Sequence, residues 1–192
     1  MKSKIIVVYI LMFLAIPLYS QIIVPIEEQV PILAKAINYV KSNNLTASDS
    51  KEFMVAVLYK KNDAFSEKMM KQAVKAFNKK TKKIRVFDKK IKAIALEFEN
   101  GLVLEKQLIV NDVKAVFLCA GLKNDIEEIN SVIKANSLIS MSPQMDDIVN
   151  GNAVMGVTLA EGNVVPYVNY VVAKEYRLDL DLQFLNFAEV IR

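Results

Sequence analysis

The side chains able to do chemistry are few, and the first fact about them is what is missing. None of the 192 residues is histidine. That removes Ser-His-Asp and Cys-His arrangements, the usual general base near neutral pH and the commonest zinc ligand. Catalysis would have to come from lysine, paired carboxylates, tyrosine or a cofactor. The one cysteine, Cys119, rules out an intrachain disulfide. Flanked by Phe117, Leu118 and Ala120, it reads as a small buried hydrophobe rather than a nucleophile. Asp146-Asp147 and Asp179-x-Asp181 lack the ligand number and turn glycine of a calcium loop, so no metal site is expected. No G-x-G-x-x-G or P-loop follows a strand, and Lys60-Lys61-Asn62-Asp63-Ala64 has no glycine to admit a phosphate. No cofactor is expected, and the residues point away from an enzyme.

What remains is recognition. Lys60, Asn62, Gly121, Ser140, Ser142 and Pro143 fall just beyond, or at the ends of, predicted strands. In open α/β sheets, ligands bind at the carboxyl ends of the strands. These residues are the expected ligand or partner crevice.

The elements that would position them follow from periodicity. Ile22–Ile26 leads into a helix with Val30, Leu33, Ala34, Ile37 and Val40 inward, Pro31 fitting only near its start. After a polar break at Asn43-Asn44 and Thr46–Ser50, Phe53–Tyr59 is a continuous apolar run suited to a strand covered on both faces. Ser66 caps a second helix with Met69, Met70, Ala73, Val74 and Phe77 inward. Ile84–Phe87 and Ile91–Phe98 are strands separated by Lys89-Lys90, and Leu102–Val110 is a short helix. Val113–Ala120 is another buried strand, and Asn124 or Asp125 caps a helix over Ile126–Ala135. Ser137–Met141 is a short strand, and Pro143–Val149 a turn or single helical turn.

The C-terminal run is the most legible. Ala153–Leu159 and Val164–Tyr170 form a hairpin joined through Ala160-Glu161-Gly162-Asn163, with glycine where positive φ is needed. Asp181 caps a terminal helix with Phe184, Leu185, Ala188 and Ile191 on one face. Alternating strands and helices imply an α/β fold with a mostly parallel sheet, helices on both faces, and a C-terminal β-hairpin followed by a terminal helix.

Met1–Ser20 has Lys2 and Lys4 ahead of the apolar run Ile5–Ile16, then Pro17, the layout of a cleaved secretory signal. The apolar run falls short of the roughly 20 residues that span a bilayer, so a retained anchor is the lesser reading. Residues 21–192 are then one domain, periplasmic or secreted. Without the leader, 23 basic face 21 acidic side chains. The balance is uneven: Lys68–Lys92 holds eleven basic residues and only Asp88 as an acid. The bland reading of that stretch is a solvated face; the sharper one is attraction to an anionic membrane surface or an acidic protein. Export argues against nucleic acid as a partner.

Gly156-Val157-Thr158-Leu159-Ala160-Glu161-Gly162-Asn163-Val164, then Val168-Asn169, then Gln183-Phe184-Leu185-Asn186-Phe187-Ala188-Glu189-Val190-Ile191 resembles the C-terminal signature of the YfiR-like family. That pattern reads G-x-x-L-x-x-G-x-V, then I-N, then Q-L-L-x-L-A-x-V-I. The resemblance implies an exported α/β domain. Its best-understood type represses a membrane-bound diguanylate cyclase from the periplasm by binding the cyclase's periplasmic region, so the implied partner is the extracytoplasmic segment of a membrane protein. A homodimer is compatible with it. Gly156, Gly162, Asn169 and Gln183 are the matched positions, and each is expected to hold the fold before it touches a partner. The alternative is a binding protein for a small ligand or a cell-envelope component.

Overall fold

The computed structural model describes residues 24–42, 45 and 50–192. The leader, and most of the polar break after residue 42, lie outside them. The described chain begins with helix α1 (Ile26–Ala36), a 3-10 turn over Ile37–Tyr39 and the short strand β1 (Val40–Lys41). There follow β2 (Glu52–Tyr59), α2 (Ala64–Lys80), β3 (Arg85–Val86), β4 (Lys89–Glu97), α3 (Gly101–Val110) and β5 (Val113–Leu118). Then come α4 (Ile126–Ala135), β6 (Ile139–Met141), α5 (Met145–Val149), β7 (Met155–Ala160) and β8 (Asn163–Asn169). The chain ends with α6 (Tyr170–Glu175), β9 (Asp179–Leu180), α7 (Leu182–Leu185) and β10 (Glu189–Ile191).

β2 is the spine. Phe53 to Leu58 are buried without exception, so the strand must be covered on both faces and paired on both edges. It lies between β4 and β5, parallel to each, in an eight-stranded sheet of order β10-β8-β7-β6-β5-β2-β4-β3. β6 continues the parallel set beside β5, and β7 joins β6 through the single pair Met141↔Met155. β8 returns antiparallel to β7. β1 and β9 form a separate antiparallel pair.

The step from β2 to β4 runs one way across the sheet, and the steps from β4 to β5 and from β5 to β6 run the other. With right-handed crossovers, this puts α2 on one face and α3 and α4 on the opposite one. α1 packs on α2, and α3 on α4. Phe77 of α2 meets Phe117 of β5 edge-on, ring centroids 5.8 Å apart, in one continuous apolar core. The expected fold class is the observed one, a mixed, mostly parallel sheet with helices and a C-terminal hairpin then helix.

Several local readings are corrected. α7 stops at Leu185, and Glu189–Ile191 instead forms β10, parallel to β8 with Glu189↔Tyr167 and Ile191↔Asn169. The apolar spacing fits a helix, but the outer edge of β8 offers a ladder that no local pattern announces. Phe184 stacks on Tyr39 at 5.5 Å, with Phe187 edge-on to both rings. Lys89 and Lys90 belong to β4; the turn before them is Phe87-Asp88, both at positive φ (48° and 63°). Asp63, not Ser66, caps α2, accepting from the N–H groups of Phe65 and Ser66 at 3.0 and 2.9 Å. No side chain caps α4, because Asp125 is engaged elsewhere. Val40 is buried on β1 rather than on α1, Pro31 lies in the second turn of α1, and β6 begins only at Ile139 after Ser137 at φ 49°.

The hairpin and its caps match expectation more closely. Ala160 and Asn163 pair, leaving Glu161 and Gly162 as a two-residue loop at φ 51° and 80°. Asp181 accepts from the Gln183 N–H at 2.9 Å and caps α7.

Candidate functional site

In a sheet whose parallel strands run in this order, the switch point lies between β2 and β5, where the connections leave in opposite directions. Three of the six expected crevice residues gather there. Lys60 Nζ reaches Asp125 Oδ2 at 2.7 Å and sits 5.5 Å from the centre of the Phe98 ring. Asn62, at φ 62°, donates its backbone N–H to Glu67 Oε1. Gly121, at φ 86°, comes so close to the α2 cap that a Cβ there would lie 2.7 Å from Asp63 Oδ2. The Ser66 hydroxyl, fully buried, accepts from the Lys60 backbone N–H at 2.9 Å. The loops at the switch point are thus tied to one another.

Ser140 and Ser142 do not join them. Both are fully buried. Ser140 Oγ accepts from Val154 N–H at 3.0 Å and shares a hydrogen bond with Tyr176, whose hydroxyl burial pushes up to about 12. Ser142 Oγ bonds Asp147 Oδ2 and accepts from Gln144 N–H, fastening the start of α5. Cys119, 3% exposed, has its thiol pushed up to about 12 by burial, so the thiolate that would be reactive scarcely forms.

The open volume lies elsewhere on the same side of the sheet. A cavity of about 710 Å³ is bounded by Val24–Glu27 and Gln29 around the start of α1, by Phe65, Lys68, Met69 and Gln72 of α2, by Pro143–Asp146, and by Val157–Leu159 of β7. Its size is that of a small-molecule site. Most of the wall is apolar, and Phe65 is 60% exposed on it. Among its polar residues, Gln29 is the buried one. It is 1% exposed, and its Nε2 donates to the Val24 carbonyl at 2.7 Å, which sets the amide's orientation because a carbonyl only accepts. Among the described residues its Oε1 has no partner, as is also true of Gln107 Oε1 and Asn130 Oδ1. A buried acceptor left unmet costs about 1–3 kcal/mol.

Two of the signature residues, Gly156 and Asn169, hold the strands of the hairpin against α5. A Cβ on Gly156 would lie 2.9 Å from the Ser142 carbonyl and 3.0 Å from Ile148, so the glycine lets β7 and α5 close on each other. Asn169 Nδ2 donates to the Ile148 carbonyl at 2.9 Å, and its Oδ1 caps α6 through Val172 N–H. Gly162 is required only by its φ, since nothing stands near its missing Cβ. Gln183 departs from the expectation: its side chain is exposed, and only its backbone N–H is engaged, by Asp181. Of the expected crevice residues, Pro143 lines this cavity. A further signal was Gln29, a polar residue in line with Leu33 and Ala36 on the buried stripe of α1.

No protein-family model and no curated protein matches the chain. Solved structures do match it in fold. One is an ABC domain from Streptococcus pneumonia in complex with L-Trp, with 10% identity, TM-score 0.59, and 87% of this chain and 62% of that one covered. Another is a conserved domain protein from Vibrio cholerae, at 12% identity, TM-score 0.59, and 88% and 60% coverage. A third is a substrate-binding protein with adhesive properties from Clostridium difficile in its ligand-free, open structure, at 8% identity, TM-score 0.54, and 73% and 54% coverage. The chain spans less than two thirds of the length of each, and at these identities the likeness is one of fold.

Three features of the described residues bear on chemistry. The Asp146-Asp147 pair is split between the cavity rim and the Ser142 bond. Asp179 pairs with Lys174, and Asp181 with Lys41 at 3.0 Å. The lysines of the basic stretch lie on the outer side of α2 and along β3 and β4, Lys92 pairing with Glu52 and Lys68 reaching the cavity.

Proposed function

We propose that the protein is an exported, non-enzymatic recognition protein that binds its ligand in the cavity between α1, α2, α5 and β7. The observation that carries this is a ligand-sized, mostly apolar volume of about 710 Å³ between these elements, with the buried Gln29 among its lining residues. The fold likeness supports the same reading, since one neighbour is in complex with L-Trp and another is a substrate-binding protein. A ligand suited to this site has an apolar body and at least one N–H or O–H donor. The test is thermal melting of the purified protein against a panel of amino acids, short peptides and cell-envelope fragments. A true ligand at a hundredfold excess over its Kd adds about 2.7 kcal/mol of stability. Gln72→Trp, which fills the cavity from α2, is expected to cancel the shift; a shift that survives it would place binding elsewhere.

The second reading is regulation of a membrane-bound diguanylate cyclase by contact with its periplasmic region. Its support is the C-terminal signature, whose Gly156 lets β7 close on α5 and whose Asn169 ties the end of β8 to α5. Co-purification from membranes, with cyclic-di-GMP measured in cells with and without the protein, tests it. No captured cyclase and an unchanged nucleotide level would refute it.

A further inference from the structure

The class of ligand can be read from the strand that forms one wall, provided the cavity is the binding site as proposed above. In a hairpin closed by two loop residues, the flanking pair exchanges both backbone bonds, and bonded and non-bonded pairs then alternate along the ladder. Ala160, Thr158 and Gly156 therefore turn their N–H and C=O groups toward β8, and Leu159, Val157 and Met155 turn theirs to the other edge. Two observations agree with that phase. Pro166, which has no N–H, stands opposite Val157, where β8 owes the ladder no donor. The Met155 carbonyl accepts from Ser142 N–H at 3.0 Å on the outer side. β6 accompanies β7 through Met155 alone, after which the chain turns away at Pro143 into α5. Among the described residues, no backbone group bonds Val157 or Leu159 on that edge. Both residues line the cavity, and so do Pro143–Asp146.

We infer that the cavity takes an extended peptide segment of a partner protein, which adds as a strand to the outer edge of β7. The N–H and C=O of Val157 and Leu159 repeat every second residue, about 6.8 Å apart, which is the spacing at which another strand's backbone answers. A compact small molecule has no such repeat. Main-chain bonds of this kind hold a peptide, and pockets for alternate side chains select it. Here Ile26, Phe65, Met69 and Met145 provide apolar surface for those side chains.

The test pans a displayed library of short linear peptides against the purified full-length protein and follows an enriched sequence as a synthetic peptide. Leu159→Pro removes an outward donor and leaves the ladder to β8 intact, so it is expected to weaken binding about tenfold. N-methylation of alternate peptide amides is expected to do the same from the other side, and it decides the matter by itself if the proline variant does not fold. The Val157 and Leu159 amides are expected to gain protection from hydrogen exchange when the peptide binds. The inference is overturned if no peptide is enriched, or if the bound peptide leaves those amides unprotected and tolerates N-methylation throughout. A small-molecule melting shift that Gln72→Trp cancels would then leave the cavity reading standing without the peptide. Failure of every molecule to respond to Gln72→Trp would remove the cavity reading itself.

Discussion

Two crevices open at the carboxyl ends of the strands, and they differ in how the chain has used them. At the β2–β5 switch point, where open α/β sheets ordinarily hold a ligand, Lys60, Asp63, Ser66, Gly121 and Asp125 are spent on one another. Between β6 and β7, where the parallel sheet gives way to the hairpin, the walls diverge and Gln29 keeps an unmet acceptor. Polar residues at a sheet's carboxyl edge are therefore not a site until their partners are counted. Satisfied groups hold loops together, and they leave a ligand nothing to bind.

Substitutions at the closed crevice should cost stability, and those at the open one should cost binding. The largest effect is expected for Gly121→Val. A β-branched residue at φ 86° would be strained and would push on the Asp63 cap, destabilising by about 3 kcal/mol in urea unfolding. A loss under about 1 kcal/mol would mean that the loops at the switch point are looser than their contacts imply. Ser66→Ala strips the part-buried Lys60 N–H of its acceptor, for an expected loss of about 2 kcal/mol.

Cys119 reports on the same crevice through pH. Its folded value, raised by burial to about 12 from an ordinary 9.0, means that the native state keeps a proton the unfolded chain gives up. The stabilisation is complete below pH 9 and drains away as pH rises toward 12. Tyr176 adds to the decline from pH 10 upward. Between pH 8 and 10 the thiol alone should remove about 1 kcal/mol. Cys119→Ala should flatten that part of the curve, and an unchanged slope would show the thiol to be solvated.

Smaller still is the Lys60–Asp125 pair, whose side chains are 38% and 24% exposed. A double-mutant cycle with Lys60→Met and Asp125→Asn should return a coupling of about 0.2–1 kcal/mol. The contrast is completed at the open site by Phe65→Ser. That side chain is 60% exposed, so stability should move by no more than about 0.5 kcal/mol while ligand binding falls. Equal losses at both crevices would erase the distinction between them.

Legibility in the sequence followed the range of the forces involved. The run Phe53–Tyr59 announced a doubly covered strand because burial on both faces demands apolar residues at every position. Asp181 as a cap and Gly162 in the turn were legible because each answers a demand made within three residues. The end of the chain was not. Phe184, Leu185, Ala188 and Ile191 keep a helical spacing, yet the last of them pairs with Asn169, more than twenty residues earlier. The crevice residues divided in the same way: Lys60, Asn62 and Gly121 came together as strand ends must, while Ser140 and Ser142 were drawn inward by bonds to Val154, Tyr176 and Asp147.

The sequence by itself determined the fold class, the central strand, the hairpin and the absence of histidine chemistry. Those follow from side-chain type and from spacings of two and 3.6 residues, which the local backbone enforces. Only the tertiary structure decided that β8 has a third strand beside it, that the switch point is closed, and that β6 accompanies β7 through Met155 alone among the described residues. Those outcomes depend on which hydrogen-bonding groups find partners far along the chain. A donor or acceptor has the same chemistry in the sequence whether it is met or not.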